Sequence, residues 1–153
     1  MYGAKYVGTL TGISAVPAYK EFTVLSGTTI TRGDFVKLDS GYLICATATT
    51  EILGTADQTA TGTAAGVKCR VNVDPDALYL VDNDNAVTTF AVTHPGTYFD
   101  ITGATAVQQV DTSSTTSTGS LFCHEYNPQI APFVSDTSIG LFQIAEKQGY
   151  KSQ

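Results

Sequence analysis

At 153 residues the chain is long enough for one domain with a real core, or two small lobes sharing one, and buries roughly 70% of its unfolded surface without needing disulfides. The formal net charge is -6 with a pI near 4.6, and the eight Lys and Arg residues are scattered. That leaves no electrostatic footprint for phosphate backbones or anionic lipid, so nucleic acid and membrane are excluded as partners. Only 14% of residues are charged, against a usual figure of about 25%, so Thr, Ser, Gly, Ala and amides make up much of the surface. Such a skin suits packing against other protein.

Residues 1 to 20, "MYGAKYVGTLTGISAVPAYK", carry aromatics and Gly with no sustained period and read as an extended N-terminal arm whose order depends on a neighbour. The start lacks the basic residues and apolar run of a secretory signal, and no later stretch approaches 18 apolar residues, so the expectation is a soluble protein made in the cytoplasm. From residue 21 to 153 a β domain is expected. Its first strands are "EFTVL" (21 to 25), "DFVKLD" (34 to 39), "YLICAT" (42 to 47) and "EILGTA" (51 to 56). The tripeptide Arg32-Gly33-Asp34 matches an integrin-binding signal, but it runs straight into Phe35-Val36-Lys37-Leu38. Gly33 therefore supplies a turn and Asp34 opens a strand. Asp39-Ser40-Gly41 marks a hairpin.

The strongest periodic signal is "GVKCRVNVD", where Val67, Cys69, Val71 and Val73 alternate with Lys68, Arg70 and Asn72, the two-residue period of a strand with one wet face. "ALYLVD" (77 to 82) follows, with a second hairpin expected at Asp82-Asn83-Asp84-Asn85, then "VTTFAVT" (87 to 93), "TYFDI" (97 to 101), "AVQQVD" (106 to 111), "SLFCHEY" (120 to 126) and "IGLFQIAE" (139 to 146). "DTSSTTSTGS" (111 to 120) is a low-complexity tract expected to be an exposed loop, and "NPQIAPFVSDTS" (127 to 138) is a sticky loop with two prolines and apolar Ile130, Phe133 and Val134. Thr and Val dominate and helix formers never cluster for three turns. The fold class is all-β, an antiparallel barrel or sandwich, with a second β lobe an option at about 70 to 125.

Local chemistry is sparse. Cys45, Cys69 and Cys123 are an odd set in apolar runs and read as reduced core cysteines, and Cys123-His124 cannot touch because adjacent strand residues face opposite ways. Asp74, Asp76, Asp82 and Asp84 lack the order of a calcium loop and read as turn and cap residues. His94 and His124 are too few for a three-histidine zinc site, and His94 is placed at a turn. No nucleophile elbow, P-loop or dinucleotide fingerprint occurs, so the expectation is a non-enzyme without cofactor or metal.

"LSGTTITRGDFVKLDSGYLICATATTEILGTADQTATG", over roughly residues 25 to 66, resembles the cement or decoration proteins of tailed-phage heads, with Gly-Asp opening a strand, "VKLDSG" turning, "A-T-A-T" following and then "ILGTA". "STGSLFCHEYNP" through "SDTSIGLFQIAEKQ" is similar to the closing part of such proteins. The resemblance implies a barrel or tulip-like module on the outer surface of an assembled virion, commonly a homotrimer, locking neighbouring major capsid protein subunits together. The contacts expected for that role are Tyr2, Tyr6, Val7, Leu10 and Ile13 in the arm and Ile130, Phe133 and Val134 in the proline-flanked loop. The rival reading is a carbohydrate-binding or adhesive β-sandwich using Tyr42, Tyr79, Tyr98 and Tyr126 as sugar platforms, although Trp, the preferred platform, is absent.

Overall fold

A computed structural model describes residues 3–10, 17–47, 51–84, 89–116, 119–130, 137–145 and 148. Among them the polypeptide forms thirteen strands and no helix. The first half contributes β1 (Lys5–Thr9), β2 (Tyr19–Thr23), β3 (Thr29–Ile30), β4 (Phe35–Asp39), β5 (Tyr42–Cys45), β6 (Gly54–Ala56), β7 (Ala60–Thr61) and β8 (Lys68–Asn72). The second contributes β9 (Ala77–Asp82), β10 (Tyr98–Thr102), β11 (Gln109–Thr116), β12 (Leu121–Tyr126) and β13 (Ile139–Ile144).

Two antiparallel sheets carry the fold. One runs β2-β8-β6-β4-β5, the other β1-β9-β13-β12-β10-β11, and β3 pairs with β7 as a small ribbon. The architecture is all-β and of sandwich type, and neither sheet closes into a barrel. Each nonetheless curls on itself. Val24, just after β2, forms one parallel bridge to Leu43 in β5, and Asn83, just after β9, forms one to Val110 in β11. Set β1 aside, and the strands of both sheets, counted in sequence order, lie first, fifth, fourth, second, third. The polypeptide winds the same five-stranded unit twice. Even the entry to the second strand of each unit repeats, since Gly33 (φ 92) and Gly96 (φ 87) each sit two residues before it in the left-handed region.

The alternation seen in the sequence places the cores. Cys69 and Val71 point into the first unit against Val24, Ile30, Val36 and Leu43, while Lys68 and Arg70 are exposed. In the second unit Tyr79, Val81, Phe99, Ile101, Leu121, Cys123 and Phe142 form a core that also receives Phe35, Ala46 and Ile52 from the first. Phe35 meets Tyr79 edge to face at 6.1 Å, the packing that aromatic quadrupoles favour. The opposite face of the six-stranded sheet carries a smaller cluster of Leu80, Ile139 and Leu141. The β4–β5 hairpin is closed by Ser40 and Gly41, both at positive φ (50 and 87), the mirror-image turn that matches strand twist.

Several expectations change. Lys5–Thr9, assigned to the arm, is the edge strand β1 and pairs antiparallel with β9. Gly3 N–H donates to Gln108 O at 2.9 Å and Ala4 N–H to Gly33 O at 2.7 Å, so this part of the arm is stitched to both units. The Ser/Thr tract expected as a loop supplies most of β11, because a run of β-branched Thr suits an edge strand. Among the described residues no hairpin follows Asp82, since β9 takes β13 and β1 as partners. Residues 89–93 of the expected "VTTFAVT" strand are turn and loop, and Phe90 drops from that loop into the core against Phe142 at 5.4 Å.

Candidate functional site

The expected contact residues separate. Val7 is the extra residue of a bulge between Tyr6 and Gly8, and it packs with Ile130 onto the Leu80, Ile139 and Leu141 cluster. Strand and loop, 123 residues apart in the sequence, thus meet on one apolar patch. Tyr6 points the other way, its ring 6.2 Å from that of buried Tyr79. Leu10 stands 52% exposed past the end of β1, with its N–H donated to Asp76 O. Tyr2, Ile13, Phe133 and Val134 lie outside the described residues. Among the described residues β1 is the terminal strand of its sheet, with β9 as its one strand partner.

Asp34 of the Arg-Gly-Asp tripeptide is 1% exposed. Its Oδ2 accepts the N–H of Thr31 at 2.8 Å and the hydroxyl of Thr105, and its Oδ1 accepts the N–H of Ala106 at 2.9 Å. The carboxylate therefore ties the second unit to the first and faces no solvent. Asp74 caps a turn, its Oδ1 accepting Asp76 N–H, whereas Asp84, expected as a turn or cap residue, makes a long-range tie to β11, its Oδ1 accepting the N–H and hydroxyl of Thr112. Among the described residues no three His, Cys, Asp or Glu side chains are grouped to hold a metal ion. His94 sits in a turn, its Nδ1 accepting Ala91 N–H at 3.1 Å, and burial against Phe90 and Phe99 lowers its pKa. All three cysteines are free, and Cys123 is buried while His124 turns outward to Gln143.

A cleft of about 490 Å³ opens between the start of β1 and the five-stranded sheet, lined by Lys5, Tyr6, Tyr19, Arg32, Asp57 and Asn72 among others. Its geometry follows from register. Tyr19 lies opposite Asn72, and Thr55 is also paired with Asn72, so these three side chains share the face of the sheet turned toward β1. Arg70 donates to Asp57 Oδ2 through Nε at 2.8 Å and through a second, shorter contact, and its Cζ stands 5.0 Å over the Tyr19 ring. That hydrogen bond is the first cause of the raised Arg70 pKa. Burial first, then Asp74 for Tyr6 and Asp57 for Tyr19, raises both tyrosine pKa values, so their hydroxyls stay protonated.

The cleft floor was invisible in the sequence. Asn72 reads there as one more wet-face residue, yet it is 3% exposed and lines the cleft with Lys5 and Tyr6 of β1. Of the sugar platforms expected for the rival function, Tyr79 is fully buried, Tyr98 and Tyr126 are half-buried, and Tyr42 is 46% exposed beside a shallow pocket lined by Thr23 to Ser26. Comparison with protein-family models and with curated proteins finds no match for the sequence.

Proposed function

We propose that the protein is a decoration protein that binds the outer surface of an assembled phage head and stabilises it by bridging neighbouring major capsid protein subunits. The observation that carries the reading is the apolar patch beside β1, the terminal strand of its sheet among the described residues, with Leu10 exposed at its end and Val7 and Ile130 gathered on the adjoining face. An edge strand takes affinity from main-chain hydrogen bonds, and an apolar flank adds burial, so the pair fits docking against the sheet of a larger protein. The low-charge, Thr-rich skin lowers the desolvation cost of that contact. The resemblance of residues 25 to 66 and of the closing stretch to cement proteins points the same way.

The mechanism is linkage. A ligand that binds only the expanded shell stabilises it by about 2.7 kcal/mol per site at a hundredfold excess over Kd. Self-association as a trimer multiplies the effect, because one particle then engages several capsid subunits at once. Scanning calorimetry of undecorated heads, with and without the protein, tests this. The head transition should move to higher temperature as sites fill, and an unmoved transition at saturating protein would refute the reading.

A further inference from the structure

The floor of the cleft holds a buried polar group without a partner. Asn72 Oδ1 accepts the N–H of Asp74 at 3.0 Å, which fixes the amide's orientation and leaves Nδ2 as the free end. That nitrogen is buried and makes no hydrogen bond. An unmet buried donor is unfavourable, so the site is poised for an acceptor. At the rim, among the described residues, no carboxylate pairs with the Arg32 guanidinium, whereas Arg70 is neutralised by Asp57. The protonated hydroxyls of Tyr6 and Tyr19 also line the cleft.

We propose that this cleft binds a carboxylate group, held by Asn72 Nδ2 at the floor and the Arg32 guanidinium at the rim between the walls of Tyr6 and Tyr19. A guanidinium fork matches the two oxygens of a carboxylate, which accepts without having to donate. A sugar hydroxyl needs an acceptor as well, and the one carboxylate that lines the cleft among the described residues, Asp57, is occupied by Arg70. A phosphate dianion would sit near a second negative charge, since Asp74 is close enough to Tyr6 to act on its titration, although Lys5 lines the cleft beside Arg32. The carboxylate can come from an Asp or Glu side chain or from the C-terminus of a polypeptide. Occupancy here is independent of attachment to a head.

Titrating the full-length ¹⁵N-labelled protein with sodium acetate, against sodium chloride at matched ionic strength, tests the site. Saturable shifts are expected in the Asn72 side-chain NH2 and in the amides of Ala4 and Gly33. Peptides Ac-Gly-Glu-Gly-NH2 and Ac-Gly-Gly-Phe-OH separate the two sources, and Ac-Gly-Gln-Gly-NH2 should bind at least tenfold more weakly than whichever is preferred. Arg32→Gln, at an exposed turn, should keep the spectrum folded and weaken acetate at least tenfold, and Asn72→Asp should do the same by charge repulsion. Shifts no larger than those from chloride would mean that water alone satisfies Asn72, and tighter binding of inorganic phosphate than of acetate would also overturn the assignment.

Discussion

Gln108 brackets Phe35: its Oε1 accepts the Phe35 N–H at 2.6 Å while its Nε2 donates to the Phe35 carbonyl at 3.3 Å and to Ala46 O at 2.7 Å. One fully buried amide thus completes the backbone hydrogen bonding of β4 and β5 from the other unit. Gln148 does the same to Leu38, accepting its N–H at 2.6 Å and donating to its carbonyl at 2.8 Å, but from a half-buried position. Gln108→Leu keeps the volume and leaves buried backbone groups unpaired, so it should cost about 2–4 kcal/mol in urea unfolding. Gln148→Leu, where water can substitute, should cost about 1 kcal/mol. Equal losses would show that the two brackets are not distinguished by burial.

Asp34 is a second tie between the units, and its burial decides the fate of the Arg-Gly-Asp tripeptide. Asp34→Ala removes the acceptor of Thr31, Thr105 and Ala106 together and should lower stability by about 2–4 kcal/mol. The folded protein, coated on plastic, should not support integrin-dependent cell adhesion where a linear Arg-Gly-Asp peptide does. Adhesion that is lost on Asp34→Ala without loss of stability would contradict the burial.

Burial pushes the thiols of Cys45 and Cys123 up to about 12, and Cys69 upward as well. Each is raised above its ordinary value of 9.0, so its stabilising contribution is complete below pH 9 and is lost as pH rises toward about 12, where the unfolded polypeptide has already released these protons. Tyr6, Tyr19 and Tyr79, all raised first by burial, act with the same sign. Unfolding free energy should therefore fall through that alkaline window, and more gently in Cys45→Ala and Cys123→Ala, slope rather than level being the readout. At pH 8 a disulfide reagent should label the cysteines only after denaturant is added.

Much of the fold was legible because strand alternation is local. Val67, Cys69 and Val71 declare an inward face within five residues, and Ser40-Gly41 declares its turn within two. What was hidden depends on pairing far along the sequence. Asp82 to Asn85 has hairpin chemistry, but β9 finds a better apolar partner in β13, so the expected hairpin gives way to a non-local ladder. The doubled winding leaves no obvious repeat in sequence, because a five-stranded unit specifies only an apolar pattern and a few turn glycines. The cleft was hidden for a related reason. Nothing in "VNVD" marks Asn72 as a floor until the start of β1, more than sixty residues earlier, is brought to the same cleft.

The pairing of β1 with β9 changes how head attachment should be probed. Removing residues 1–15 would delete β1 and bare one edge of β9, so loss of binding would be mixed with loss of fold. Leu10→Asp is cleaner, since the side chain is exposed and its N–H bond to Asp76 O survives. It should leave the melting temperature within about 2 °C, as surface changes do, and reduce head binding at least tenfold. Unchanged binding would remove Leu10 from the contact.

Attachment to heads is tested most directly by sedimenting the purified protein with undecorated heads of the cognate phage across a concentration series. Co-pelleting should saturate at a fixed ratio of this protein to major capsid protein. Protein that stays in the supernatant at every concentration, or that pellets without saturating, would contradict attachment.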